Sequence, residues 1–288
     1  MKNLLKSVFT AIAIIFSLST QAQTKYPKLE NSLLWEVSGN GLSKPSYLYG
    51  TIHMICSSDY FLSEKAKKAL DSSNKLVLEV DLSDPKEMTD MQQMAMGKEP
   101  LSKTLSAENL LKLENILKKK TGMTIQQVDS FSLFTVMSLI SMKSFGCNDL
   151  KFYEMNFIET AKQQRNLPIS GLETVKLQME AFGKGYSDTE MIAMLEESSP
   201  EETAKLVSKY KEENIMAMYD ITTDKRFTSE QTKKAILDNR NENWLKIMPE
   251  LMKNESVFIA VGAAHLAGES GVINLLRKAG YIVKGVTK

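Results

Sequence analysis

SVFIAVGAAHLAGESGVINLLRKAGYIVKGV, Ser256 to Val286, carries the signals of an α/β fold within one stretch. Ser256 to Val261 is a short apolar run, the pattern of a strand covered on both faces. Gly271 to Ala279 has apolar residues at helical spacing, and Tyr281 to Val286 returns to strand character. Strand, helix and strand in close succession argue for helices packed on a sheet.

Working outward, LLWEVS (Leu33 to Ser38), the turn-rich GNG (Gly39 to Gly41) and SYLYGTIH (Ser46 to His53) read as two strands joined by a loop. A helix rich in Lys and Ala follows from about Ser63 to Ser72, and KLVLEVDL (Lys75 to Leu82) contains the continuous apolar run of a buried strand. The order so far is β-β-α-β. From Asp84 to about Asn166 only helical patterns appear, over Ala107 to Lys120 with Gly122 as a stop, Thr124 to Phe145, and Asp149 to Asn166. LPISGLET (Leu167 to Thr174) reads as a short strand, and capping-box patterns at Ser187 to Glu190 and Thr228 to Gln231 mark two further helix starts. The sequence therefore predicts an α/β fold, a mixed central sheet with flanking helices, and a large helical insertion or cap over residues 84–166.

The chain opens with Lys2 and Lys6, an apolar run from Val8 to Leu18 and small residues up to Ala22, the pattern of a secretory signal peptide. Cleavage after Ala22 leaves residues 23–288 as a single domain, exported to the periplasm or the medium. Removing the two lysines takes the net charge from +1 to about −1, and the remaining lysines lie beside acidic residues, which excludes a nucleic-acid footprint. No later stretch is long and apolar enough to span a bilayer. Export leaves two readings open for Cys56 and Cys147, one disulfide or two buried thiols.

The protein has two histidines, and each follows an apolar strand in the frame G-x-x-H: Gly50 to His53 and Gly262 to His265. Two imidazoles presented from strand ends by glycine turns suit a site at the carboxyl edge of a sheet. Two unrelated core histidines are the plain alternative. Glu79, inside LVLEVD, lies in a strand too apolar to hold an unpaired charge cheaply, and Glu173 closes LPISGLE. Either could serve as metal ligand or base, or make a salt bridge or helix cap; Asp81, on the face of Glu79, is the weaker candidate. Arg240 could orient a carboxylate or stabilise an oxyanion, and equally reads as a helix-surface arginine. Methionines 88, 91, 94 and 96 suggest core packing or an adaptable peptide-binding surface ahead of a soft Cu(I) site. Cys56 could act as a nucleophile near His53, a role that a disulfide would abolish.

These residues resemble the TraB/PrgY/GumN family, which includes the Tiki proteins. The likeness rests on Gly50 to His53, the strand with Glu79, the GLET turn with Glu173, Arg240-Asn241-x-x-Trp244 and VGAAHLAGESGV, and runs from about Leu33 to Val286. It implies an α/β fold related to erythromycin esterase and ChaN-like proteins. It also implies a metal-dependent peptidase whose histidines and an acidic residue form the site, carried here onto His53, Glu79 and His265 with manganese or cobalt, zinc being a further option. Glu173 and Arg240 match with less defined roles. The expected function is an exported divalent-metal-dependent hydrolase acting on a peptide or small-molecule substrate. A metal-independent His/Glu esterase and a non-enzymatic peptide- or haem-binding protein are the alternatives.

Overall fold

The structure is a computed structural model that describes residues 28–287; the expected signal peptide, residues 1–22, lies outside them. Eight strands are present among the described residues: β1 (Leu34–Ser38), β2 (Ser46–Thr51), β3 (Met54–Cys56), β4 (Lys75–Leu78), β5 (Leu150–Phe152), β6 (Ile169–Gly171), β7 (Val257–Gly262) and β8 (Ile282–Gly285). Six form one mixed sheet in the order β6-β4-β7-β2-β1-β8. β6, β4, β7 and β2 run parallel, while β1 pairs antiparallel with β2 and with β8.

Burial follows strand position. All six residues of β7 are buried, as are Leu76, Val77 and Leu78 of β4, because helices cover both faces of the parallel half. The edge strand β8 instead alternates exposed and buried residues. Trp35, Leu48, Tyr49, Phe157, Phe258 and Trp244 anchor the main core. The aromatic rings of Tyr49, Phe157 and Phe258 pack on one another with centroids 5.4–5.8 Å apart.

The helices start where the sequence places caps. Ser63, Ser106 and Ser187 accept from backbone N–H groups in the first turn, and Ser187 with Glu190 forms the expected capping box. In the second expected box the cap is Ser229, one residue later than read. Gly122 ends its helix in the left-handed region, φ 75°.

Two corrections concern the central region. Asp149 to Asn166 is not one helix: Leu150–Phe152 is a strand that pairs with β3 as a separate two-stranded ladder, and the α-helix runs over Tyr153–Thr160. That helix packs into the main core through Tyr153, Phe157 and Ile158. Thr124 to Phe145 divides into helices Ile125–Val128 and Leu133–Ser144, separated where Phe131 bridges to Met96. A second hydrophobic cluster gathers Leu113, Leu117, Val128, Val136 and Ile140 with Ile192 and Leu195 from the later helix Asp188–Glu197. Cys56 and Cys147 form a disulfide, which removes the cysteine-nucleophile reading.

Candidate active site

Four parallel strands end at the same edge of the sheet, and each releases one candidate residue just beyond its end. His53 follows β2, Glu79 follows β4, Glu173 follows β6 and His265 follows β7. The registers pair Gly171 with Leu78, Leu78 with Ala260 and Gly262 with Thr51, so β6 and β4 end together, two residues short of the ends of β7 and β2. Carboxyl edges of open α/β sheets are where such folds assemble sites.

Glu79, expected inside the strand, lies just past it and is buried. Its Oε1 accepts from the Gly262 N–H at 2.7 Å and is 3.9 Å from Nε2 of both His53 and His265. Its Oε2 accepts from Arg240 Nη2 at 2.6 Å and Gln178 Nε2 at 3.0 Å. Burial alone would favour the neutral acid, but the Arg240 charge, the His53 imidazolium and the Gly262 N–H outweigh it and hold the carboxyl well below the usual range.

Gly262 makes this convergence possible by its size. Its φ of −53° is open to any residue, so it is not the flexible turn expected. A Cβ there would lie 2.8 Å from His53 Nε2 and 3.4 Å from Glu79 Oε1. The backbone specialisation falls on His53 itself, at φ 61°, a left-handed conformation uncommon for a residue other than glycine.

His53 is held from behind by Glu154, at the start of helix Tyr153–Thr160. His53 Nδ1 lies 2.9 Å from Glu154 Oε1, which also accepts from Thr51 Oγ1 at 2.8 Å. Partial removal from water opposes the charged imidazole of the half-exposed His53, but the Glu154 charge and hydrogen bond, with Glu79 beyond, raise its pKa to about 9. His265 is different: buried, with Nδ1 2.7 Å from Asn241 Oδ1 and Nε2 3.0 Å from Arg240 Nη1. Burial and the adjacent guanidinium push its pKa down to about 3.

Arg240 is buried, not a surface residue; it shares the inward face of helix Asn239–Met252 with Asn241, Trp244 and Met248. All five of its N–H groups are engaged. Nε donates to Glu173 Oε1, Nη2 to Glu173 Oε1 and Glu79 Oε2, and Nη1 to the Ile236 carbonyl and His265 Nε2. Its planar fork thus fixes the two carboxylates, and no donor is left for a substrate. Glu173 shares Arg240 with Glu79, and burial raises its pKa despite that cation. Asp81 stands apart, accepting from the Ser83 N–H in a local turn.

A cleft of about 240 Å³ opens onto this edge. His53, Glu79, Glu154 and Gln178 line its polar end, and Met91, Met94, Phe134, Met155 and Met179 are among the side chains of its apolar wall. Glu173, Arg240 and Trp244 instead line a separate cavity behind.

Sequence reasoning passed over Glu154, Gln178 and Asn241 as working groups. Glu154 follows a three-residue strand, LKF, too short to separate from the helical pattern after it. Gln178 lies one helical turn after the cap residue Thr174, with nothing in its spacing to mark it.

As a metal centre the set fits only in part. A catalytic zinc-type site uses three protein donors and an open position. His53 Nε2 and Glu79 Oε1 face open space, but the lone pair of His265 Nε2 already receives an Arg240 N–H. Among the described residues no group of three His, Cys, Asp or Glu side chains is arranged to hold a metal. His265 therefore does not fit as the third ligand in this arrangement. No described helix is long and apolar enough to cross a membrane.

Comparison with known proteins agrees with the motifs. Metalloprotease TIKI2 of Danio rerio is 41% identical over 56 residues, 19% of this chain and 11% of the relative. Metalloprotease TIKI1 of Xenopus tropicalis is 24% identical over 315 aligned positions, 88% of this chain and 61% of the relative. The chain spans less than two thirds of the length of either curated relative. Residues 33–285, nearly the whole described chain, match one family model, and the protein belongs to the TraB/PrgY/gumN family.

Proposed function

We propose that the protein is an exported hydrolase of peptide bonds that depends on a divalent cation, manganese, cobalt or zinc. The observation that carries this reading is the convergence of His53 and Glu79 at the polar end of an apolar cleft. The relatives named metalloproteases support the cation and the bond type. Glu79 Oε1 and His53 Nε2, the latter after losing its proton to solvent, are the donors that would hold the ion, which when bound supplies Lewis acidity and an activated water. Glu154 fixes the His53 ring through Nδ1, the usual second partner of an imidazole ligand. Arg240 keeps Glu79 ionised and aimed, and the methionine and phenylalanine wall takes apolar parts of the substrate and excludes water. The N-terminal Lys2 to Ala22 pattern supports export, and a disulfide suits an oxidising compartment.

The test is metal analysis of the purified mature protein and of its His53→Ala variant, with cleavage of a peptide library before and after EDTA. Activity restored by adding back Mn2+, Co2+ or Zn2+ is expected; activity untouched by the chelator would sink the cation requirement. A second reading is favoured by the 2.9 Å His53–Glu154 contact and the two-donor count: His53, in the neutral form it gains as pH rises toward 9, takes the proton of an attacking water at Nε2, and Glu154 balances the imidazolium. Activity that survives EDTA but is lost in His53→Ala would select it.

A further inference from the structure

The two G-x-x-H histidines, alike in sequence, occupy opposite environments. The His53 side chain is 55% exposed and lines the cleft, whereas that of His265 is 5% exposed and lies behind it. The Trp244 ring packs on the His265 ring with centroids 4.4 Å apart.

Hydrogen-bond chemistry fixes the state of His265. Asn241 Nδ2 donates to the carbonyls of His265 and Ser270, which turns Oδ1, an acceptor, toward His265 Nδ1. Nδ1 must then carry the proton. A guanidinium only donates, so Nε2 meets Arg240 Nη1 with its lone pair. Both nitrogens are engaged, and the ring is a neutral Nδ1–H tautomer. A metal ion on Nε2 would strip Arg240 of an acceptor and set two cations side by side.

We propose that His265 is a positioning residue: an internal acceptor that orients the Arg240 guanidinium, and through it Glu79 and Glu173, without ligating metal or transferring a proton. The second G-x-x-H motif thus holds a resident cation in the sheet edge, and the first carries the reactive imidazole. The proposal rests on the hydrolase reading only in taking His53 as the reactive partner; the His265 tautomer can be read without it.

The experiment is histidine 15N NMR on the mature protein, whose two imidazoles are assigned with His53→Gln. His265 is expected as a neutral Nδ1–H tautomer at neutral pH. Added Zn2+ alone should shift the His53 Nε2 resonance and leave His265 unmoved. By calorimetry, His265→Gln, whose Oε1 can still accept from Arg240, should keep Zn2+ affinity within about threefold, while His53→Gln should lower it about tenfold or more. A protonated or Nε2–H His265, a Zn2+-dependent shift at His265, or an equal affinity loss in His265→Gln would overturn the proposal. If Zn2+ moves neither ring, the cation requirement of the hydrolase fails, and the tautomer alone decides the role of His265.

Discussion

Glu154 and His53, 101 positions apart, meet at 2.9 Å because Tyr153 donates its N–H to the His53 carbonyl, one residue pair beyond the end of the β3–β5 ladder. The ladder therefore sets the register between carboxylate and imidazole before either touches a substrate. Glu154→Gln keeps the shape and removes the charge. The His53 pKa, raised to about 9, should fall toward its ordinary value, read by NMR titration. Hydrolytic activity or cation affinity should drop about 10- to 100-fold. An unchanged titration would show that Glu154 does not govern the imidazole.

Gly262→Ala is expected to separate stability from function. The backbone at φ −53° accepts alanine, and the half-exposed His53 ring can swing away from the new methyl. Unfolding free energy should change by no more than about 1 kcal/mol, while hydrolysis falls to background because Nε2 no longer faces Glu79. Wild-type activity in this variant would mean that the close approach is dispensable.

Arg240→Met leaves two buried carboxylates without their cation. A loss of about 3–5 kcal/mol is expected in urea unfolding, and Glu173→Gln added to it should recover part of that loss. Purely additive effects would contradict the shared network.

Stability should peak near pH 6.5. His265, with its folded pKa down near 3 against 6.5 unfolded, stays neutral while the unfolded chain takes up a proton. Its contribution is therefore lost as pH falls below 6.5, at about 1.4 kcal/mol per pH unit. His53, raised to about 9, stabilises fully below 6.5 and ceases to do so as pH rises through 9. Glu79, lowered, adds a further loss below about pH 4.5. Urea midpoints measured from pH 4 to 10 check the window, and a midpoint that rises steadily to pH 10 would contradict it.

The Cys56–Cys147 disulfide closes a loop of 91 positions. Chain-entropy reasoning puts its contribution at about 4–5 kcal/mol, with measured cases commonly about 2–5. Comparing oxidised protein with a Cys56→Ser/Cys147→Ser variant by urea unfolding tests this, and equal stabilities would refute it.

Much of this was legible before the structure. The apolar runs at Leu76 and Val257 stood out because strands buried on both faces cannot carry polar residues, and both histidines follow such runs. Their shared edge was readable for the same reason. Their different roles were not, since both imidazoles occupy the same local frame and the distinction is made by Glu154 and Arg240, remote in sequence. β3 and β5 escaped because three residues carry too little alternation to compete with a helix pattern. Arg240 was ambiguous because its inward face is marked only by Trp244 and Met248, at a spacing that surface helices share.

β7 lies inside the sheet between β4 and β2, yet its residues 257–262 follow both of those strands by more than 170 positions. β4 and β2 cannot join until it slots between them, so no shorter nascent chain can close the sheet or assemble the edge that holds His53 beside Glu79. Contacts of such long sequence separation slow the collapse. Until residues 257–262 take their place, the sheet therefore stays divided and the edge has no site.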